Sequence, residues 1–522
     1  MALHPMGIRT PAGGGWVAPA LSGLLLSLAF PTAPDHPMAW AHGSPWAFVA
    51  LLPLFSCLPR PTWKEGFRCG WVTGFVFSLY SLYWVAFTQG GGPAVVAGTL
   101  LMAGYIGLFY GLAGAGISTA VKAWPHAGWL AAALLWTGAE YLLSLGELGF
   151  PWLLLGSTQA VTVELIQYAE ITGVYGVSFW AASVNAVLWL TLRASGLRPR
   201  LAGAAALLAL FACPWWYSTA VIDSTPGEPG IRVGLVQNNL GLEKWHSGGL
   251  ERSFTTLEQL SRAAAAQGPD LLVWPETAVP CQLRTREDCS GRVEELVAEL
   301  GVPVLTGASD ADPHTREPYN AAFYFTADRA PQRYAKMHLV PFGERTPFMD
   351  YVPLLRDIDW TALTGDLGPA EFARGRERTL FKHPGGDFAV LICFESVFPD
   401  LVRRHVAAGA DFLVVITNDS WFGRTAGPYQ HAQLAVFRAV ENRTAIARCA
   451  TSGVSLFVDP YGRTSQSTPI FTEAHAVGGL ATGQRRTFYN RRGDLFARLV
   501  TGAAFLAAMA AIPVSRRAAQ ES

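Results

Sequence analysis

Two regimes of hydrophobic patterning divide the chain. From Trp16 to about Val221 long apolar runs follow one another with few charges, and from Ile231 to Tyr489 shorter apolar runs alternate with polar stretches. A last apolar run covers Leu495 to Val514. In the first region seven segments, roughly 16–30, 40–58, 68–88, 93–121, 127–146, 165–192 and 201–221, approach the ~20 residues that a helix needs to cross a bilayer. Pro31, Pro45 and Pro53 shorten or break the first two and leave their limits open. With the last run this predicts about eight spans: residues 1–222 hold seven, residues 228–489 form a soluble domain, and residues 494–514 return to the membrane. Gly107 and Gly111 form a GxxxG that suits close helix contact.

Within the soluble region the period changes from helix-like to strand-like several times. IRVGLVQ (231–237), DLLVWPETA (270–278), FAVLICFES (388–396), DFLVVITNDS (411–420) and SGVSLFVDP (452–460) read as strands. Helical spacing covers 250–266, 398–410 and 429–442, and residues 293–309 read helix, turn, strand. AAFYFTAD (321–328) and RYAKMHLV (333–340) suit paired strands around a turn, and Cys449 in IARCATSG reads as a core residue. Strands alternating with helices, plus hairpins, predict an α/β layered fold with helices covering a sheet.

Charge then orients the chain. Lys plus Arg and Asp plus Glu number 39 each, so no basic surface argues for nucleic acid. Arg60, Lys64 and Arg68 lie between spans two and three, Lys122 between four and five, and Arg193, Arg198 and Arg200 between six and seven. Alternate loops such as TQGGGP carry no Lys or Arg, and Arg9, Arg516 and Arg517 complete one side. The positive-inside rule therefore predicts cytoplasmic termini and places residues 222–494 on the far, periplasmic side. Arg491, Arg492 and Arg498 run against the rule, as large translocated domains allow. In an oxidising compartment the spacing of Cys281 and Cys289 permits a disulfide without requiring one.

Three buried strands end in reactive groups: Glu276 after LLVWP, Cys393 after VLI, and Asn418–Asp419 after LVVIT. A lone cysteine is most often a core residue. At a strand end beside a base and a cation, however, it has the setting of a nucleophile. Glu276 suits the general base, and Lys336 suits an oxyanion stabiliser alongside the backbone N–H that follows the nucleophile. The scattered histidines have no metal-ligand spacing, His338 reads as structural, and no cofactor is called for.

WPETA, YAKMHLVPFGE, ICFES and TNDSWFG, in that order, resemble the nitrilase superfamily with its Glu-Lys-Cys triad. With spans on both sides, the whole chain resembles the bacterial apolipoprotein N-acyltransferases, which add the third acyl chain to lipoproteins. The resemblance implies an α-helical membrane bundle of about eight spans carrying an extracytoplasmic nitrilase-like α-β-β-α domain. It assigns Glu276 as base, Lys336 as oxyanion stabiliser and Cys393 as nucleophile. Glu344 would orient the Lys336 ammonium, and Glu395 would place the substrate amine or the cysteine loop. Trp245 and Trp421 match tryptophans of the family, with loop packing as their plainer role. Phe394 stands where the family often has Tyr, which loses a hydroxyl contact but keeps the N–H, and Thr451-Ser452-Gly453 replaces an Asn-rich stretch.

The reaction so implied is a two-step acyl transfer by a monomer in the bacterial inner membrane. The sn-1 chain of phosphatidylethanolamine passes through a Cys393 thioester to the amine of a diacylglyceryl-cysteine on an apolipoprotein. Phe342, Phe348, Tyr351, Leu354, Leu355 and Trp360 in residues 340–360 suit either an interfacial arm or a core loop. Two rivals remain at this level. One is a membrane-tethered carbon–nitrogen hydrolase that passes its acyl group to water. The other is a transporter with a non-catalytic domain, for which Glu140 is the clearest ionisable residue within a span and no internal repeat is seen.

Overall fold

The computed structural model describes residues 15–59, 62–89, 91–222, 230–357, 371–483 and 486–520, so Arg9, Arg60 and Trp360 lie outside the described residues. The amino-terminal helices are α1 (Val17–Leu28), α2 (Leu52–Cys57), α3 (Trp63–Ser81), α4 (Pro93–Ala123), α5 (Ala131–Leu143), α6 (Ala169–Thr172), α7 (Val174–Arg193) and α8 (Leu197–Val221). Among the described residues four helices are long and apolar enough to cross a membrane: α4, α7, α8 and the last, α14 (Leu495–Gln520). The stretch 40–58 is not one helix. Pro45 starts a 3-10 turn over Ser44–Phe48 and Pro53 opens the six-residue α2, because proline suits a first helical turn but not an interior.

Glycine brings α3 and α4 together. A Cβ on Gly70 would stand 2.2 Å from the Tyr110 carbonyl oxygen, and one on Gly114 2.4 Å from that of Gly66. The two helices therefore meet backbone to backbone, with Gly107 and Gly111 on the same seam facing Trp71 and Phe67.

The soluble part contains β1 (Ile231–Gln237), β2 (Leu271–Val273), β3 (Val304–Ala311), β4 (Pro318–Phe325), β5 (Gln332–Ala335), β6 (Phe388–Ile392), β7 (Phe412–Thr417), β8 (Ile446–Ala450), β9 (Leu456–Val458), β10 (Thr464–Ser465) and β11 (Ala474–Leu480). Its helices are α9 (Gly249–Ala265), α10 (Glu287–Leu300), α11 (Pro399–Ala407), α12 (Gly427–Asn442) and α13 (Phe488–Arg492). The strands form two sheets, ordered β11-β1-β2-β3-β4-β5 and β10-β9-β8-β7-β6. Period-two alternation divides each strand between two cores. Phe388, Val390 and Ile392 join Val233, Leu235 and Tyr324 between the sheets, whereas Ala389 and Leu391 face α11 and α12. Leu272 and Val236 face α9 and α10 on the other side. The result is an α-β-β-α sandwich. Cys281 and Cys289 are joined by a disulfide, and Cys449 is buried with its thiol toward the Val236 and Val273 carbonyls.

The sandwich is seated on the helices through α12. Val174 and Tyr175 of α7 share one core with Val436 and Val440. Polar contacts fix the fit: Arg443 donates to Glu170 at 2.8 Å, the Val174 N–H donates to Glu441 at 2.8 Å, and Gln430 accepts from Trp84 and Trp152 at 3.2 and 3.0 Å. Glu140 accepts from Trp136 at 3.0 Å and from the Leu155 N–H at 2.8 Å. That carboxylate oxygen ties the Leu155 backbone to α5, which gives an acidic residue inside the helix bundle a structural role.

Candidate active site

Four loops at strand ends converge beneath the sandwich, toward the helices. β6 delivers Cys393 as the first residue of a single 3-10 turn, Cys393–Val397. Its φ is +51°, a left-handed backbone that side-chain-bearing residues adopt at a cost of about 1–2 kcal/mol. The turn lifts the thiol off the strand, leaving Cys393 partly exposed between buried Ile392 and Phe394. The Phe394 ring packs 6.0 Å from Phe150 and 5.0 Å from Phe398, so it seals the apolar side of the turn.

Glu276 follows β2 and Lys336 follows β5, both almost fully buried. Lys336 Nζ stands 2.9 Å from Glu344 Oε1 and 3.3 Å from Glu276 Oε1. The Asn418 N–H donates to Glu276 Oε2 at 2.8 Å. The Asn418 side chain turns back to accept from the Ser420 hydroxyl at 2.6 Å. Burial works against the Lys336 ammonium, but Glu276 and Glu344 outweigh it and hold the lysine well above its ordinary range. Burial pushes the Cys393 thiol up, Glu276 pushes it further, and Lys336 pulls the other way. The net rise means a resting thiol whose proton leaves only as an electrophile arrives and a base accepts it.

Glu395 is wholly engaged with protein. Its Oε1 accepts from the Tyr334 hydroxyl at 2.8 Å and from the N–H groups of Met337 and His338 at 2.7 and 3.1 Å. Its Oε2 accepts from the Ile392 N–H at 2.8 Å. One buried carboxylate thus fastens the lysine strand to the cysteine turn. A second clamp comes from α12: His431 contacts Asp419 at 2.9 Å and Ser396 Oγ at 3.1 Å, and Ser396 donates to the Cys393 carbonyl at 2.8 Å. Burial and Arg448 lower the His431 pKa, and its Nε2 also lies 3.2 Å from the Cys393 carbonyl oxygen, so the ring braces the cysteine turn through both Ser396 and the backbone. Asp419 is itself held by Arg448 at 2.7 Å.

The tryptophans lie at the rim. Trp245 is half exposed on the loop after β1, and its neighbour Lys244 is buried, with Nζ 2.9 Å from Thr277 Oγ1 beside Glu276. Burial lowers the Lys244 pKa to about 8 against the pull of Glu276. Trp421 stands on the turn after β7, where its carbonyl accepts from the Gln89 N–H of the loop following α3. Phe342, Phe348, Tyr351 and Leu354 are largely exposed, and the Phe348 N–H donates to Glu147 at 2.7 Å, linking that arm to the helix bundle.

Asn320, His431 and Lys244 escaped sequence reading. Asn320 Nδ2 donates to Glu276 Oε1 at 2.7 Å and to Glu344 Oε1 at 2.9 Å, and the Asn320 carbonyl accepts from the Lys336 N–H. It separates two carboxylates that Lys336 alone would have to neutralise. A neutral residue at the start of an apolar strand carries no local signal of this. Asn320→Ala is expected to lower kcat/KM for acyl transfer about 10- to 100-fold, the worth of a hydrogen bond to charged groups. Steady-state kinetics beside a thermal melt would separate that loss from simple misfolding.

Comparison with known proteins gives the constellation its context. Residues 22–187 match the family described as the apolipoprotein N-acyltransferase N-terminal domain, and residues 232–483 match carbon-nitrogen hydrolase. The apolipoprotein N-acyltransferase of Geobacter metallireducens is 36% identical over 508 residues, covering 94% of each chain. That of Chlorobaculum tepidum is 33% identical over 526 residues, covering 94% of this chain and 96% of its own. Among solved structures, an amidase from Nesterenkonia sp. aligns at 18% identity with a TM-score of 0.38, over 53% of this chain and 99% of that one. Full-length likeness at this level, spanning both the helices and the sandwich, makes the chain a member of the apolipoprotein N-acyltransferase family.

Proposed function

We propose that Cys393 carries the acyl group as a thioester between a phospholipid donor and a lipoprotein acceptor. The observation that carries this reading is the meeting of Glu276, Lys336 and Cys393 at the ends of β2, β5 and β6, with the cysteine on a left-handed turn. In the first half-reaction Glu276 takes the thiol proton as sulfur attacks an ester carbonyl, probed best with the sn-1 ester of phosphatidylethanolamine. Lys336 and the Phe394 N–H face the developing oxyanion. Collapse breaks the carbon–oxygen bond, the lysophospholipid alkoxide takes the proton from Glu276, and the thioester remains. In the second half-reaction the α-amine of a diacylglyceryl-cysteine attacks the thioester, Glu276 relays the amine proton to the departing thiolate, and an amide forms.

Both substrates are held in a bilayer, and this explains a hydrolase-type triad mounted on helices. In this reading the helices make about eight spans with both termini cytoplasmic. The domain between residues 228 and 489 then lies outside the cytoplasm, its triad facing the outer leaflet. The exposed arm residues Phe342, Phe348, Tyr351 and Leu354 rest at the interface and admit lipid. No cofactor takes part.

The test is the intact mass of detergent-purified enzyme after incubation with phosphatidylethanolamine, beside Cys393→Ala. The expected result is a hydroxylamine-labile acyl adduct on the wild type alone, discharged by a diacylated lipopeptide into an N-acyl product. A Cys393→Ala enzyme that acylates the lipopeptide like the wild type would overturn the reading.

A further inference from the structure

Arg498 stands on the side of the membrane where the positive-inside rule disfavours it, and the structure gives it company. A cavity of about 450 Å³ opens where α5, α7 and the start of α14 meet the sandwich, and Arg378, Arg404 and Arg498 all line it. They come from three separate parts of the chain: the segment before β6, α11 and α14. Asp400 and Asp494 face the same space. Asp400 is already shared between Arg403 and Arg404, each at 2.7 Å, and Asp494 accepts from the Tyr489 hydroxyl at 2.7 Å. Arg498 donates to the Tyr141 hydroxyl at 3.2 Å, and exposed Arg378 has no ion-pair partner among the described residues. The cavity therefore holds guanidinium donors in excess of the carboxylates that face them.

Leu145, Phe398 and Leu401 supply an apolar part of its wall, beside the hydroxyl-bearing Tyr141, Ser144 and Tyr175. The helices flanking the mouth carry exposed leucines, Leu142 and Leu145 on α5 and the turn after it, Leu495 and Leu499 on α14. Such side chains on apolar helices face lipid. Met337 and His338 form part of the lining, so this space lies across the Glu395-clamped segment from Lys336.

We propose that this cavity binds the phosphate of a phospholipid from the outer leaflet, at a site separate from Cys393. Guanidinium forks match phosphate oxygens, and the leucine-bordered mouth accepts the start of the acyl chains. The inference rests on the membrane orientation proposed above.

The test uses the full chain in non-ionic detergent and a dialkyl ether phosphatidylglycerol, which has no ester to acylate Cys393. Binding is followed by native mass spectrometry. Arg378→Gln and Arg498→Gln are each expected to weaken it about tenfold, the loss of a charge-assisted hydrogen bond. Arg378 is exposed, so its variant remains informative should Arg498→Gln fold poorly. Equal binding by wild type and Arg378→Gln would overturn the proposal. Inorganic phosphate binding as tightly as the ether lipid would overturn the lipid assignment in favour of a free anion. Lipopeptide acylation is measured on the same preparation: active enzyme without arginine-dependent lipid binding refutes this site alone, and inactive wild type refutes the acyltransferase reading alone.

Discussion

Glu276→Gln is expected to lower kcat/KM for thioester formation about 10³-fold at neutral pH, and to change its pH dependence. The amide keeps the shape of a carboxylate that accepts on both oxygens, from Asn320 and Lys336 on one and from the Asn418 N–H on the other, but its NH2 must then face one of these donors. What disappears is the acceptor for a thiol proton that burial holds in place. Removing the negative charge of Glu276 also brings the thiol pKa down, because that charge opposes the thiolate. The residual rate should then rise about tenfold per pH unit while free thiolate accumulates, as for a thiol without a base. A wild-type-like pH profile with the same loss would show that Glu276 positions Lys336 and moves no proton. Acyl-adduct formation followed by mass over a pH series makes the measurement.

The second large effect is on stability. Glu395→Ala would leave four donors without their acceptor: the Tyr334 hydroxyl and the Ile392 N–H in the interior, and the Met337 and His338 N–H groups on the part-buried segment that lines the cavity. Each orphaned donor costs about 1–3 kcal/mol, less where water enters, so a loss of about 4 kcal/mol is expected. For a domain of this size that lowers the melting temperature by roughly 10 °C. Activity should fall with it, because the left-handed turn at Cys393 is held from both sides of Glu395. Glu395→Gln keeps one acceptor oxygen and should lose less in both. A Glu395→Ala enzyme that melts like the wild type yet is inactive would instead assign Glu395 to substrate contact. Thermal melts in detergent, read beside acyl transfer, distinguish the two.

How far each feature could be read from the chain follows the range of the interaction that makes it. β1, β6 and β7 were legible because a largely buried strand leaves a continuous apolar run. β6 and β7 were nonetheless drawn past their carboxyl ends into the site loops, and β4 was placed three residues late, at 321–328 instead of Pro318–Phe325. α12 was legible from its spacing, only two residues short at its start. β2 was overdrawn, since Pro275 ends ladder pairing soon after Val273, and β8 and β11 were missed because Arg448 and the Gly478–Gly479 pair interrupt the apolar pattern. In the helices, Pro45 and Pro53 announced a break but not its form as a 3-10 turn and a short α2.

The sequence by itself determined the order of reactive strand ends, the apolar segments, the alternation of charge between them and the motifs that mark the family. Those are properties of neighbours along the chain. Only the tertiary structure decided that Asn320 stands between Glu276 and Glu344, that Glu395 binds the lysine strand instead of the lysine, and that His431 reaches back to the cysteine turn. It also decided that arginines 378, 404 and 498 share one cavity. These pairings join residues tens to hundreds of positions apart, and their energy comes from hydrogen bonds made after burial has removed water. No local pattern encodes which buried donor will meet which acceptor, because the two sheets and the helix bundle must close before either partner is present.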